Sequence, residues 1–346
     1  MLNKKKFNKV DPEQISKLLY SHFSNLMAQF YEMQSQFLTS RYKIHQSLES
    51  ANIIVCFAKS AHLSIIRKRE KSLDHDISLN NFLTNLKSLK NDDSINHKIV
   101  SIVNSTGIPK ETVRRKLKKL LAKNFIGINS HKEYYWNLSE ERIDSFMKIV
   151  TSDIKGLAKF ISNICKFFDL YLTQKDIEKE IENQFSFYFY HFLSCELAWL
   201  KMWQKKIKDI DLILISLQTL IPTLQYYDGN QNLKKLGIEN LYTVVGKTNK
   251  QYISSNTSIS AASVSDITGI PRATCIRKLE KLVKYGMLTR EENTKRYYVN
   301  QSSHLTRSKH IITKENVSFT ISIFCEFFST VTNALINQKK ISNLKT

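Results

Sequence analysis

Apolar side chains recur every three or four residues near the start of the chain, at positions 15, 19, 23, 26, 30, 33 and 37. This spacing places them on one face of a long helix, which is predicted to begin at Asp11-Pro12, an N-cap acceptor followed by a proline at the first helical position. A stripe with the same spacing lies in the second half of the chain, at Ile177, Ile181, Phe185, Tyr188, Phe192, Cys195 and Trp199. Because a helix does not leave so many aromatic side chains in water, each stripe is expected to pack within its own half or against the other half.

The constant offset between the two stripes also relates two central motifs. Ser105-Thr-Gly-Ile-Pro109 recurs as Ile267-Thr-Gly-Ile-Pro271, an offset of 269 − 107 = 162 between their glycines. Near the end of each half, Ile161-Ser-Asn-Ile-Cys-Lys-Phe-Phe168 resembles Ile321-Ser-Ile-Phe-Cys-Glu-Phe-Phe328, at an offset of 160. A period this long indicates a duplicated domain, since solenoid repeats span about 20–50 residues.

We therefore predict two units of the same architecture, residues 1–174 and 175–346. Each has N-terminal helices, a central motif and a C-terminal helix, the last at roughly 140–172 in the first unit. No Gly or Pro lies between Gly156 and Pro222, so the join near residue 174 is predicted to be a rigid helical passage. The two units are expected to pack together.

Each central motif reads as a helix, a turn, a second helix and a hairpin. In the first unit, helices over 97–105 and 110–123 are separated by Thr-Gly-Ile-Pro, in which glycine permits a positive φ and proline begins the next helix. A short apolar strand, a polar turn and an aromatic strand ending at Trp136 follow, and the second unit repeats this order. The order is that of a winged helix-turn-helix domain, which predicts two such domains at about 94–138 and 258–300.

The predicted fold is thus mainly α with small β-hairpin wings. It consists of two winged-helix domains flanked by long helices, with an internal duplication forming a single-chain pseudo-dimer.

The outward face of the second helix is the same at three positions in both units. With Leu117 or Leu279 as the core direction, the opposite side carries the same residue types: Thr112, Arg115 and Lys119 in the first, and Thr274, Arg277 and Lys281 in the second. Solvent-facing positions have little packing reason to agree, although a basic stripe is often only a solvated face. Arg pairs bidentately with guanine, while Lys and Thr bind phosphates, so DNA fits this set.

Further basic residues extend this candidate DNA-binding surface. They lie on the same two helices and at the wing tips, where phosphate or minor-groove contacts are expected. The helix residues are Lys110, Arg114, Lys116 and Lys118 in the first unit, and Arg272, Lys278 and Lys284 in the second. The wing-tip residues are His131, Lys132, Lys295 and Arg296.

Charge and composition agree with a folded protein that binds a polyanion. The chain has 52 Lys and Arg against 31 Asp and Glu, a formal net charge of +21, although a Lys-rich composition bias also accounts for part of it. Only 8 Gly and 4 Pro argue against an all-β architecture with many tight turns. The five cysteines form no CxxC pair, which indicates reduced core thiols and no zinc or other metal site.

The start of the chain is charged and has no apolar leader segment, and the longest apolar stretches are shorter than a bilayer span. We therefore expect a cytoplasmic protein without a membrane partner.

The stretch from Ser263 to Leu288 resembles the helix-turn-helix of bacterial winged-helix transcription regulators, especially the MarR type, and the likeness covers about 45 residues in each unit. In that family, helices flanking the winged helix mediate dimerisation, which implies that the fused pair is a monomeric pseudo-dimer. The Asp-x-Arg wing signature of the family is absent, since the wings carry Ser130-His-Lys-Glu133 and Asn293-Thr-Lys-Arg296.

The resemblance also implies a small-molecule effector of unknown identity, bound between the dimerisation helices and the winged helices. The candidate lining residues are Phe187, Tyr188, Trp199 and Trp203, although a plain aromatic core accounts for them equally well.

Sequence-specific binding of double-stranded DNA as a transcription regulator is the leading hypothesis. Two recognition helices would enter successive major grooves of a pseudo-palindromic site, about 34–36 Å apart. The units differ at Glu111/Ala273, Arg114/Ile276 and Lys118/Glu280, so the half-sites need not be read identically.

Three other classes of function are weighed against it. A plasmid-type replication initiator with tandem winged helices and a winged-helix protein-interaction scaffold are the alternatives. An enzyme is not expected, because the chain has no phosphate-binding glycine loop, GxSxG, HExxH or paired-carboxylate signature, and no cofactor is predicted.

Overall fold

The computed structural model describes residues 9–89, 95–229, 256–300 and 314–344. Within these ranges the chain is mainly helical, with two small antiparallel hairpins, as predicted. The helices are α1 Pro12–Ser21, α2 Phe23–His45, α3 Leu48–Lys71, α4 Leu79–Ser88, α5 Ile99–Thr106, α6 Lys110–Ala122, α7 Glu140–Phe167, α8 Gln174–Asn183, α9 Phe185–Ile207, α10 Asp211–Gly229, α11 Ala261–Thr268, α12 Arg272–Lys284 and α13 Lys314–Leu344. The strands are β1 Ile126–Ile128, β2 Tyr134–Trp136, β3 Leu288–Arg290 and β4 Tyr297–Val299.

Helix bounds in the N-terminal half recur in the C-terminal half at the offset that relates the two sequences. The pairs α1 and α8, α2 and α9, α5 and α11, and α6 and α12 each begin and end at equivalent positions. The caps recur as well: Gln14 accepts the Asp11 backbone N–H, as Asp176 accepts that of Thr173. Equivalent positions therefore begin and end these helices in both halves.

The apolar stripe runs along two helices in each half, and the prediction of one unbroken helix is wrong. The chain breaks at His22, with φ −114° and ψ 40°, and in the same way at Gln184, with φ −112° and ψ 39°. All stripe positions are buried except Cys195, which is half-buried, so the predicted packing of the stripe is confirmed.

The join between the halves is not the helical passage that was predicted. Helix α7 ends at Phe167 and α8 begins at Gln174, and between them Asp169 adopts a left-handed backbone with φ 55°. Leu170 and Leu172 are buried in the core, so packing fixes this short turn without glycine or proline.

Helices of the two halves pack against each other in reciprocal pairs. Helix α3 packs on α9 as α10 packs on α2, and α7 packs on α8 as α13 packs on α1. At the centre, the equivalent positions 34 and 196 meet, where Gln34 Nε2 donates to Glu196 Oε1 at 2.7 Å. Two similar units packed about an approximate twofold axis would show reciprocity of this kind.

Helix α13 contains the segment Glu315–Gln338, which by length and hydropathy alone is capable of crossing a membrane. Of its most apolar window, 61% is buried inside the structure, as in the core helix of a soluble protein. The sequence analysis did not identify this segment, and the expected cytoplasmic location stays a prediction.

Candidate nucleic-acid interface

Helix α6 has one buried face and one basic face. Val113, Leu117 and Leu120 are buried against α3 and α5, as the sequence predicted. On the opposite side Arg115 and Lys119 are exposed, and they are flanked by two exposed residues of the same surface, Lys110 and Lys118. Thr112 is half-buried beside them.

Helix α12 repeats this arrangement with fewer exposed cations. Cys275, Leu279 and Leu282 are buried, and Arg272 and Arg277 are exposed. The remaining two outward positions, Thr274 and Lys281, are half-buried.

Both helices follow a tight turn that glycine makes possible. Gly107 and Gly269 end α5 and α11 at φ 71° and 74°, in the left-handed region that favours glycine. A Cβ at Gly107 would lie 3.0 Å from Cγ of Lys201, and one at Gly269 would lie 3.2 Å from Cγ of Lys43. Each turn therefore sits against a helix of the opposite half, α9 or α2.

Lys278 does not belong to the exposed surface on which the sequence placed it. Its side chain is 9% exposed, and Nζ lies 2.7 Å from Asp209 Oδ1 and 2.9 Å from Asp211 Oδ2. Burial alone would lower the pKa of Lys278, but the two carboxylates outweigh it and hold the pKa above its ordinary value. The charged lysine fastens α12 to the start of α10 and is not available to DNA.

Lys116, the equivalent residue of α6, makes the same kind of contact. It bonds to Ser47 and lies 3.0 Å from Glu49 Oε2, at the start of α3. Positions 47 and 49 are the equivalents of 209 and 211, so a lysine bound to the start of the neighbouring long helix recurs in both halves. An acidic residue 67 positions before each lysine is the sequence signal that marks this contact.

The hairpins pair as predicted, with Ile126 opposite Trp136 and Leu288 opposite Val299. Each hairpin also forms an isolated antiparallel β-bridge with the segment before α5 or α11. One residue at each hairpin tip has a left-handed backbone, Lys132 at φ 61° and Lys295 at φ 56°.

Three of the four wing-tip residues are exposed, namely His131, Lys132 and Lys295. Arg296 is half-buried, and its guanidinium donates to the hydroxyl and the carbonyl of Ser258, so the protein already holds it in place.

A cavity of about 160 Å³ lies in the N-terminal half between α2, α3, α7 and the hairpin. Its walls are mostly apolar and include Phe189 and Leu193 of α9, from the opposite half. His45 in the wall has a buried Nδ1 without a hydrogen-bond partner. Burial, together with the charges of Arg41, Arg142 and Lys123, lowers the pKa of His45 to about 4, so the ring is neutral at pH 7.

The equivalent cavity in the C-terminal half measures only about 30 Å³. Larger side chains fill it where the N-terminal half has smaller or polar ones: Trp203 for Arg41, Ile207 for His45, Ile213 for Ala51 and Leu220 for Ala58. Of the aromatic residues suggested as effector contacts, Trp199 and Trp203 line this smaller cavity, whereas Phe187 and Tyr188 line neither. The sequence missed the larger cavity because only the packing reveals it.

All five cysteines are free of disulfides, and four of them are buried. Across the described ranges, no group of three or more His, Cys, Asp or Glu side chains is placed to hold a metal ion. Comparison with family models, with curated proteins and with solved structures finds nothing that matches this chain.

Proposed function

We propose that the chain is a transcription regulator that binds double-stranded DNA through two winged-helix units created by an internal duplication. The observation that supports this most is the pair α6 and α12. Each follows a glycine turn, precedes a hairpin, buries one apolar face and exposes an arginine at the equivalent position, Arg115 or Arg277. An exposed arginine on a helix of this kind is suited to the major groove.

Fluorescence anisotropy with random duplex DNA, at several salt concentrations, tests this proposal. Wild type is expected to bind with a steep salt dependence. Arg115→Ala/Arg277→Ala is expected to weaken binding and to reduce the magnitude of the slope of log affinity against log salt concentration, by up to about 0.9 for each phosphate contact that is lost. The control is Lys17→Ala/Lys179→Ala, two exposed lysines at equivalent positions of α1 and α8.

Three results would contradict the proposal. Tight binding that Arg115→Ala/Arg277→Ala leaves unchanged would place the DNA site elsewhere on the chain. No binding at low salt would favour the protein-interaction scaffold. Footprints on directly repeated sites, instead of a pseudo-palindrome, would favour the replication initiator.

The larger cavity supports a second proposal, that a small-molecule effector binds in the N-terminal half. Arg142 lies in its wall, stacks over Phe125 at 4.2 Å and donates to the carbonyls of Lys123 and Asn124, just after α6. A molecule in the cavity would therefore touch a residue that holds the end of the recognition helix. An apolar cavity of about 150 Å³ is large enough for benzene.

Ala58→Leu tests the effector proposal, because it reproduces Leu220 of the filled cavity. Wild type is expected to bind benzene or phenol in an NMR titration, and Ala58→Leu is expected to abolish that binding while the protein stays folded. Leu220→Ala is the reciprocal variant and should open a second site. Saturable binding that Ala58→Leu does not alter would place the ligand outside this cavity.

A further inference from the structure

The two candidate DNA-binding units differ in charge. Residues 97–137 contain nine Lys and Arg against two Asp and Glu, a net charge of +7, whereas the equivalent residues 259–299 contain eight against four, a net charge of +4. Lys116 lies against one carboxylate from outside this segment, and its equivalent Lys278 lies against two. The difference in charge available to a polyanion is therefore larger than the composition alone indicates.

The difference in charge between the two units is clear at position 280. Glu280 of α12 accepts a hydrogen bond from Tyr297 Oη at 2.7 Å and lies 3.0 Å from Arg290 Nη1. It thus joins the recognition helix to both strands of its hairpin and neutralises a cation there. The equivalent residue of α6 is Lys118, which is exposed.

Position 281, next to 280, also offers less accessible positive charge than its equivalent in the N-terminal half. Lys281 is half-buried and lies 3.7 Å from Asp209 Oδ2, while its equivalent Lys119 is exposed. In the N-terminal unit the acids are Glu111, which pairs with Arg114 on the surface, and Glu133, which lies 3.6 Å from Lys98. Neither of these acids is paired with the cations of the α6 surface at 115, 118 and 119 on which the DNA contact is proposed to depend.

We propose that the protein lies on duplex DNA in one fixed orientation, on an asymmetric site. The N-terminal unit supplies most of the phosphate contacts. The C-terminal unit supplies fewer, because Glu280 and Asp209 lie against its cations. This inference rests on the proposed DNA binding and concerns how that binding is divided.

The salt dependence of DNA affinity in matched single variants tests the division. Lys118→Gln is expected to reduce the magnitude of the slope of log affinity against log salt concentration by about 0.9. Glu280→Gln keeps the hydrogen bond to Tyr297 but releases Arg290. The magnitude of the slope is therefore expected to increase by up to about 0.9. Glu111→Gln is the control, because the exposed Arg114 pair neutralises little and its loss should change the slope by much less than Glu280→Gln does.

Orientation is tested by cleavage from a tethered iron chelate. The variant Lys132→Cys or Lys295→Cys carries the chelate, with labelled wild type as the control for the native thiols. On a selected site each variant is expected to cut at one end only, and the two variants at opposite ends. Cutting at both ends, or salt dependence that neither Lys118→Gln nor Glu280→Gln changes, would overturn the inference while leaving DNA binding intact. Absence of salt-dependent binding by wild type would instead remove the proposed function itself.

Discussion

One interior position is occupied by a charged side chain in the N-terminal half and by an apolar one in the C-terminal half. In the N-terminal half, Arg41 stacks on Phe37 and its guanidinium lies 2.6 Å from the buried carboxylate of Asp153. In the C-terminal half the equivalent residue is Trp203, which fills the small cavity with apolar surface. A buried ion pair and a packed apolar side chain are often of similar stability, so both are workable solutions. The capping contacts of α1 and α8, the two glycine turns and the contacts of Lys116 and Lys278 recur in both halves. The side chains that fill the interior between them differ.

Lys278 and its equivalent Lys116 give the largest expected effect. Lys278→Met takes away the cation that the half-buried Asp209 and Asp211 share, and is expected to lower the free energy of unfolding by up to about 3 kcal/mol, since both carboxylates keep some contact with water. Lys116→Met leaves one carboxylate, Glu49, instead of two, so a smaller loss is expected. Urea denaturation measures both, and Arg277→Ala, on the exposed face of the same helix, should be near neutral. Equal stability of Lys278→Met and wild type would show that Lys278 does not fasten α12 to α10.

The pair at positions 34 and 196 is expected to make the free energy of unfolding depend on pH. Burial raises the pKa of Glu196 to about 8, although Gln34 and Arg41 oppose that shift, while the carboxylate of Asp153 adds to it. Below the ordinary value of 4.5 the carboxyl is protonated in both the folded and the unfolded state, so it does not change stability. Between 4.5 and about 8 the unfolded chain ionises it and the folded chain does not, so stability falls as pH rises and then levels off.

Glu196→Gln removes this fall and makes the pair symmetric. The variant is expected to match wild type at pH 4 and to be more stable at pH 8, by on the order of a few kcal/mol. Denaturation at pH 4, 6 and 8 measures the difference. A variant that is no more stable than wild type at pH 8 would mean that the pKa of Glu196 is not raised in the folded protein.

The glycine turns give the smallest effect. Alanine at Gly107 or Gly269 is forced into a left-handed backbone, which is expected to cost about 1–2 kcal/mol. Gly107→Ala is expected to cost more, because Lys201, which its Cβ would approach, is held by a hydrogen bond to the Asn104 carbonyl. Thermal unfolding compares the two with Gly156→Ala inside α7, where space is available and a gain of up to about 1 kcal/mol is expected. A neutral Gly107→Ala would show that the turn relaxes.

Local signals account for the parts of the fold that the sequence predicted. The hairpins and the faces of α6 and α12 follow from apolar periodicity and from the glycine and proline between the helices. The break at His22 carries no such signal, because neither glycine nor proline marks it. There the His22 ring lies 4.5 Å from the ring of Phe167, at the end of α7. The burial of Lys278 depends on Asp211, 67 positions earlier, and is invisible on a helical wheel drawn for α12 alone. The cavity depends on five segments at once, so no local pattern contains it.

Gln34 and Glu196 face each other from equivalent positions of one chain. Two identical chains related by a twofold axis would place like opposite like at this point, either two amides or two carboxyls. A mutation there would always appear on both sides, and two buried carboxyls in contact would repel each other when ionised. A continuous chain removes that restriction, because either side of the contact is inherited and altered separately. The covalent join thus lets a paired surface acquire unlike partners one substitution at a time.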